Sequence, residues 1–181
     1  DGRFTTFATT NGLSNTSVWA LHEDTEGVLW VGTEKGLNRY RDGRFTSFTV
    51  REGLPSDLVN EILEDDFANL WISHDQGLYR VRKQELNELA AGRMKLVQAV
   101  SYDVADGLPV RETNGQKSQP AGCRTRDGRL WFPTPKGVAV IDPGLCDLDM
   151  VAPRAVIEQV RADGELIFDR AGRVETSKLP P

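Results

Sequence analysis

The sequence predicts an all-β protein made of β-propeller blades, and three observations support this prediction. A segment from Asp1 to Arg41 aligns without a gap on the residues that begin at Asp42, so that equivalent positions lie 41 residues apart. Short runs rich in Val, Thr, Trp and Phe alternate with turn residues, four runs to a repeat. A tryptophan recurs in every copy, at Trp30, Trp71 and Trp131. Four short strands with a periodic aromatic are typical of a propeller blade.

The first copy shows the expected strands clearly. Turn residues separate residues 17–23, 28–33 and 37–40, and a fourth strand over 44–49 follows the Asp42-Gly43 turn. Both faces of a blade meet another sheet, so the repeated tryptophans are expected to pack between neighbouring blades. Residues 3–7 follow the same Asp-Gly signal, which predicts the outer strand of a preceding blade.

The third copy is looser and carries two insertions. Its landmarks are Gly107-Leu108, Trp131 and Gly137. The first insertion contains the strong helix formers of residues 83–91 and predicts a short helix on the rim. The second is a loop over 111–122. The predicted blades are therefore 1–41, 42–96 and 97–150, with 151–181 following them.

Three blades cannot close a ring, because propellers close with about four to eight. An incomplete propeller is therefore expected, either as a piece of a longer one or as a unit that assembles with other copies of itself. The expected partners are the remaining blades of the same propeller or other copies of this chain, including a homodimer.

The composition excludes several classes of function. A net charge of -5 and a pI near 5.1 give no basic field for nucleic acid or for anionic membrane surfaces. No metal-ligand spacing and no cofactor motif is present, so neither a metal nor a cofactor is predicted. Cys123 and Cys146 either bond to each other or serve as two separate small core residues. The sequence contains no run of about 20 apolar residues, so no membrane-spanning helix is predicted.

The motifs also resemble those of a known family. In the first copy Gly12-Leu13-Ser14, Glu23-Asp24, Leu29–Thr33 and Gly36–Tyr40 stand in the order of the two-component regulator propeller repeat, which they resemble. The second copy departs from this pattern at Ile72-Ser73-His74. Residues 152–160, with 163–165 after them, are similar to the opening strand of the tyrosine-rich, immunoglobulin-like module that follows such propellers.

The resemblance implies an exported sensor. Its propellers would lie in the periplasm, and its immunoglobulin-like module would lead to a transmembrane helix with a histidine kinase, hybrid regulator or diguanylate cyclase inside. Contact with the membrane would then come only through downstream segments. The resemblance implies no enzyme activity for these blades themselves.

Residues that break the repeat are the better candidates for a ligand site, because loops from several blades converge near a propeller's axis. Trp19 stands where the second copy has Asn60; it could stack on a sugar ring or pack between blades. His74 replaces a threonine at a strand-to-turn position, where a solvated turn is the alternative. The loop after the Gly-Leu-Pro turn offers amide and charged groups to a carbohydrate or another small ligand, or is a structural turn; its candidates are Arg111, Glu112, Asn114, Gln116 and Lys117.

No catalytic residue is predicted. The carboxylate pairs Glu23-Asp24 and Glu64-Asp65 recur at the repeat period, which favours turn and strand-end roles over general acid-base catalysis. The sequence therefore predicts a ligand-sensing or signal-transmitting propeller segment. Two alternatives remain open: part of a secreted propeller enzyme such as a polysaccharide lyase, and a non-catalytic interaction scaffold.

Overall fold

The computed structural model describes residues 2–113, 120–146, 159–162 and 165–169. The chain divides into two compact units, Asp1–Leu145 and Cys146–Pro181. The first unit holds the blades. The second contains an antiparallel hairpin, and most of the predicted immunoglobulin-like opening strand lies outside the described residues; its strands are β12 (Gln159–Ala162) and β13 (Glu165–Asp169).

The blades are antiparallel sheets whose strands follow chain order, which confirms the predicted fold class. The first blade contains β1 (Val18–Glu23), β2 (Leu29–Thr33), β3 (Gly36–Arg41) and β4 (Arg44–Phe48). The second contains β5 (Glu61–Glu64), β6 (Asn69–His74), β7 (Gly77–Arg82) and β8 (Val100–Tyr102). The third contains β9 (Cys123–Arg124), β10 (Leu130–Thr134) and β11 (Gly137–Ile141), and no fourth strand joins it within the described residues.

Each copy of the Gly-Leu motif closes a single 3-10 turn. The turns Thr9–Asn11, Val50–Glu52 and Val104–Asp106 end at glycines with φ of 99°, 98° and 99°. Only glycine adopts this left-handed conformation without strain. The leucine that follows is buried in all three copies. The outer strand that the sequence predicts over residues 3–7 is not formed, and Phe4 is fully exposed.

The predicted helix is confirmed as α1 (Lys83–Ala90), which lies between β7 and β8. Leu86 of this helix is fully buried in the same core cluster as Trp30 and Phe48 of the first blade. Arg39 Nε of β3 also donates to Asn87 Oδ1 at 2.7 Å. The inserted helix therefore packs against both blades and joins them.

The tryptophans of the first two blades are fully buried and hydrogen-bonded. Trp30 Nε1 donates to Asp24 Oδ2 at 2.9 Å, and Trp71 Nε1 donates to Asp65 Oδ2 at 2.7 Å. Trp131 is only half-buried, and its indole donates to Thr125 Oγ1, which stands where the other copies have aspartate. The expected packing between blades is seen for Trp30, which lies in one core cluster with residues of the second blade, whereas Trp71 stacks on Tyr102 of its own blade.

The seam between the first and second blades depends on close packing. A Cβ added at Gly32 would lie 2.4 Å from Val59 Cγ1, so only glycine lets this side chain approach. Val59 N also donates to the Thr33 carbonyl at 3.0 Å. The glycine of β2 therefore sets how near the two sheets lie.

A buried lysine crosses the same seam. Lys83 Nζ lies 2.6 Å from Glu64 Oε1 and 3.3 Å from Asp24 Oδ2, and its side chain is 4% exposed. Burial favours the neutral amine, but hydrogen bonds to Glu64 and Asp24 outweigh burial and raise the pKa of Lys83. Burial likewise opposes the charge on Asp24, yet the Trp30 and turn hydrogen bonds and the charge of Lys83 together lower the pKa of Asp24. Both groups are therefore charged at neutral pH.

Replacing Lys83 by alanine is expected to lower the free energy of unfolding by about 3 kcal/mol, because it leaves buried carboxylates without their counter-charge. Urea denaturation measures the change. The matched control is Arg41→Ala, which removes a solvent-exposed ion pair to Glu26 and should cost less than about 1 kcal/mol. Equal losses for the two variants would contradict a special role for the buried lysine.

Candidate functional site

Residues that break the repeat meet at one end of the second blade. Asn60 N donates to the Ser73 carbonyl at 2.8 Å, and Thr113 Oγ1 donates to the His74 carbonyl at 2.8 Å. Thr113 belongs to the predicted loop over 111–122, so this end of the loop lies beside His74. We call the five buried residues here the blade-2 polar cluster: Asn60, Ser73, His74, Tyr79 and Thr113. Tyr79 pairs with Ile72 and so lies on the same face of the sheet as His74, whereas Ser73 lies on the opposite face.

The equivalent positions of the first blade satisfy one another. Thr33 and Asn38 stand where the second blade has His74 and Tyr79. Asn38 Oδ1 accepts from Ser14 N at 2.8 Å, and the Ser14 and Thr33 hydroxyls lie 2.8 Å apart. Asn38 Nδ2 donates to the Val31 carbonyl at 3.0 Å. This end of the first blade thus forms a closed hydrogen-bond set.

The second blade leaves hydrogen-bonding capacity unused. The hydroxyls of Ser73 and Tyr79 are buried and have no hydrogen-bond partner in the described part of the chain. An unsatisfied buried hydroxyl costs about 1–3 kcal/mol. A polar molecule that reaches either hydroxyl would recover part of that cost, which is why this end of the blade is the stronger candidate for binding.

His74 is buried, so the expectation of a solvated turn is wrong for its side chain. It is 6% exposed, whereas the neighbouring Asp75 is exposed. Burial lowers the pKa of His74 and outweighs the opposing effect of Asp75. Nδ1 accepts from Gln76 N at 3.3 Å, which places the proton of the neutral ring on Nε2.

Tyr79 is a neutral donor beside this imidazole. The two ring centroids lie 5.6 Å apart. Burial, and secondly the negative charge of Asp57, raise the pKa of Tyr79, so the phenol stays protonated. The cluster therefore offers uncharged donors and acceptors, a chemistry suited to hydroxyl or amide groups.

Glu61 ties the second blade to the third. It is buried at a position where the first blade has Ala20. Its Oε2 accepts from Ala121 N at 2.7 Å, and its Oε1 accepts from its neighbour Ile62 N at 3.0 Å. The pairing between β9 and β10 stops at Cys123, and the glutamate accepts the N–H of Ala121 just before this strand.

The other predicted site residues lie outside this cluster. Trp19 is a half-buried residue of β1, and its indole N–H has no partner among the described residues. Arg111 and Glu112 are exposed next to Thr113, while Asn114, Gln116 and Lys117 lie outside the described residues. Cys123 is an exposed free thiol, so the possible bond to Cys146 is not formed.

Sequence reasoning missed Ser73, Tyr79, Thr113 and Glu61. Three of them are differences between aligned copies: Ser73 for glycine, Tyr79 for asparagine and Glu61 for alanine. A systematic comparison of the copies at apolar positions would have found these three. Thr113 lies within the predicted loop over 111–122, but its contact with His74 joins residues 39 positions apart and could not be read from the sequence. No group of residues able to hold a metal is found in the described part of the chain.

Substituting glutamine for Glu61 is expected to change how stability depends on pH. Burial raises the pKa of Glu61, so the folded state binds this proton more tightly than the unfolded chain does. Stability is therefore lost as pH rises above the ordinary glutamate value. The stability of Glu61→Gln relative to the unmodified protein should increase between pH 5 and pH 8, as followed by urea denaturation.

Glu34→Gln, in the exposed β2–β3 turn, controls for the loss of one negative charge. A stability difference between Glu61→Gln and the unmodified protein that stays constant with pH would contradict the assignment.

Known proteins share the repeat pattern of this chain. Residues 12–35 match the family model of the two component regulator propeller. In the described part of the chain no helix is long and apolar enough to cross a membrane. No curated protein matches the sequence significantly.

Solved structures share the blade architecture. The extracellular domain of BT4673 from B. thetaiotaomicron, assigned as a one component or hybrid two component system, is 25% identical with a TM-score of 0.60 over 73% of this chain. The extracellular domain of BT3049 from the same organism, assigned as a hybrid two component system, is 20% identical with a TM-score of 0.59 over 77% of this chain. The present chain spans only 18% and 19% of those chains, respectively.

A more distant neighbour is virginiamycin B lyase from Staphylococcus aureus. It is 12% identical, with a TM-score of 0.42 over 70% of this chain and 41% of its own. Residues 12–35 of the first blade therefore match a two-component regulator propeller repeat, and the blades share the propeller fold of these extracellular domains.

Proposed function

We propose that this chain is part of the periplasmic sensor region of a two-component signalling protein. The observation that carries the proposal is the family match at residues 12–35, which lies within the most regular repeat. The likeness to the extracellular domain of BT4673 supports the same location. The output domain would be a histidine kinase or a related enzyme encoded elsewhere in the parent protein.

The blade-2 polar cluster is proposed to take part in ligand binding. The neutral imidazole of His74 and the unsatisfied hydroxyl of Tyr79, on the same face of the sheet, suit an uncharged, hydroxyl-rich ligand such as an oligosaccharide fragment. The net charge of -5 disfavours an anionic one. Binding would signal only if the ligand has different affinity for two arrangements of the region, which shifts their populations.

The location is tested by reporter fusion in the parent protein. Alkaline phosphatase fused after Pro181 is active only outside the cytoplasm, so the proposal predicts an active fusion. An inactive fusion, with a cytoplasmic reporter active at the same point, would overturn the sensor assignment.

The site is tested with Tyr79→Phe in the whole extracytoplasmic region of the parent. Removing an unsatisfied buried hydroxyl should leave stability unchanged or higher by about 1 kcal/mol. It should also weaken binding of a neutral oligosaccharide about tenfold in titration calorimetry. Tyr40→Phe, in the first blade, is the matched control and should bind normally.

Unchanged affinity in Tyr79→Phe would remove the cluster from the ligand site. Cleavage of the oligosaccharide, in place of simple binding, would instead favour the secreted enzyme.

A further inference from the structure

In the first and third blades, a threonine hydroxyl closes the turn between the two middle strands. Thr33 Oγ1 accepts from Lys35 N at 3.1 Å, and Thr134 Oγ1 accepts from Lys136 N at 3.3 Å. Each hydroxyl also donates to the carbonyl of the turn glycine, at 2.9 Å and 3.0 Å. Threonine has no titratable group, so a change of pH leaves these hydrogen bonds intact.

The second blade uses an imidazole for the same task. His74 Nδ1 accepts from Gln76 N at 3.3 Å. A ring nitrogen accepts only while it carries no proton, because both nitrogens of an imidazolium are donors. Asp75 Oδ1 lies 3.6 Å from the same Nδ1. The two neighbours of Nδ1 therefore suit different protonation states: the Gln76 amide suits the neutral ring, and the Asp75 carboxylate suits the charged one.

A fall in pH protonates this ring. Burial lowers the pKa of His74 and outweighs the opposing effect of Asp75, so the ring takes up its proton below the pH range of an ordinary histidine. The folded state thus binds this proton less tightly than the unfolded chain does. The contribution of the neutral ring to stability is present above that range and is lost as pH falls.

Asp75 is the charged group that acts directly on His74. The other ionisable groups of the surrounding segments are Tyr79 on β7, Asp57 before β5, Asp103 after β8, Arg111 and Glu112 beside Thr113, and Glu34 and Lys35 in the β2–β3 turn. Burial raises the pKa of Tyr79, which stays neutral. Asp57 and Asp103 accept backbone N–H groups, and the remaining four side chains are exposed and form two pairs of opposite charge in the sequence. A protonated ring therefore donates to Asp75.

The turn is coupled to the blade-2 polar cluster. The His74 carbonyl accepts from Thr113 Oγ1 at 2.8 Å, and the His74 ring lies 5.6 Å from the ring of Tyr79. The imidazole is buried, so a charge on it is costly unless the ring turns toward the exposed Asp75. Such a movement changes the surroundings of both Thr113 and Tyr79.

We propose that the β6–β7 turn is a pH-sensitive switch, in which His74 exchanges the amide of Gln76 for the carboxylate of Asp75 as the solution becomes acidic. The exchange opens the turn at the end of the blade where the blade-2 polar cluster lies. The opening itself needs no ligand. Its consequence, weaker binding of an uncharged oligosaccharide in acid, rests on the proposed function.

Hydrogen exchange of overlapping peptides tests the switch in the whole extracytoplasmic region of the parent. The protection of the Gln76 amide, corrected for the intrinsic effect of pH on exchange, should fall about fivefold between about pH 7.5 and about pH 5, because one hydrogen bond is lost. The Lys35 amide is the internal control. It is held by a threonine hydroxyl in the same sample and should keep its protection.

Three variants identify the side chains that cause the change. His74→Thr places the hydroxyl of the other two blades in this turn and should abolish the pH dependence. Asp75→Asn removes the charge that favours the protonated ring, so the opening should move to lower pH. His22→Gln replaces the other histidine of the sequence, on β1, and should leave the response of the Gln76 amide unchanged.

Titration calorimetry with a neutral oligosaccharide separates the switch from the proposed function. Kd should rise about fivefold from about pH 7.5 to about pH 5, and this rise should disappear in His74→Thr. A turn that opens in acid without oligosaccharide binding at either pH would support the switch and contradict the proposed function. Equal pH responses of the Gln76 and Lys35 amides, or a response that persists in His74→Thr, would overturn the switch.

Discussion

The Asp24 carboxylate is the constraint on which the first seam depends. It accepts the backbone N–H of Glu26 and Val28 at the hairpin turn, and it holds the indole of Trp30 in the core. The same carboxylate faces Lys83, which enters from the next blade. One side chain therefore fixes a turn, the central aromatic and the neighbouring sheet. Because its pKa is lowered despite burial, it is charged at neutral pH.

The three blades differ in the group that accepts the indole N–H and in the other partners of that group. The second blade keeps the aspartate, but its additional donor is Asn69 Nδ2 of the same hairpin at 2.8 Å, not a lysine from the next blade. The third blade has Thr125, a neutral acceptor. The seams are correspondingly different: a buried lysine spans the first, while Glu61 and the Thr113 hydroxyl span the second. A repeat can therefore keep its backbone while each junction acquires its own properties.

Much of the fold could be predicted from the sequence, because local signals determine it. Turn residues separate the strands of the first blade, whose observed ends lie within one residue of the predicted ones. The helix-forming run that starts at Lys83 has no glycine or β-branched residue to interrupt it. The alignment of the repeats also shows that the tryptophans of the three blades occupy equivalent positions. These local signals predict the strands, turns and helix within a single blade.

The candidate site could be predicted only in part, because it is built from contacts between blades. His74 is a turn residue by sequence, whereas its buried ring lies beside Tyr79 and its carbonyl accepts from Thr113. Lys83 marks the start of a helix in the sequence, whereas its role is to reach Asp24 of another sheet. Local propensity carries no information about either contact, since both depend on how sheets stack.

Glu61 links two neighbouring sheets. Pairing between β9 and β10 covers two residue pairs, and the N–H of Ala121, two residues before β9, bonds to Glu61. The inner edge of the third blade is therefore held in part by a side chain of the second blade. A substitution at Glu61 thus acts on two sheets, since it removes a hydrogen-bond acceptor from the edge of its neighbour.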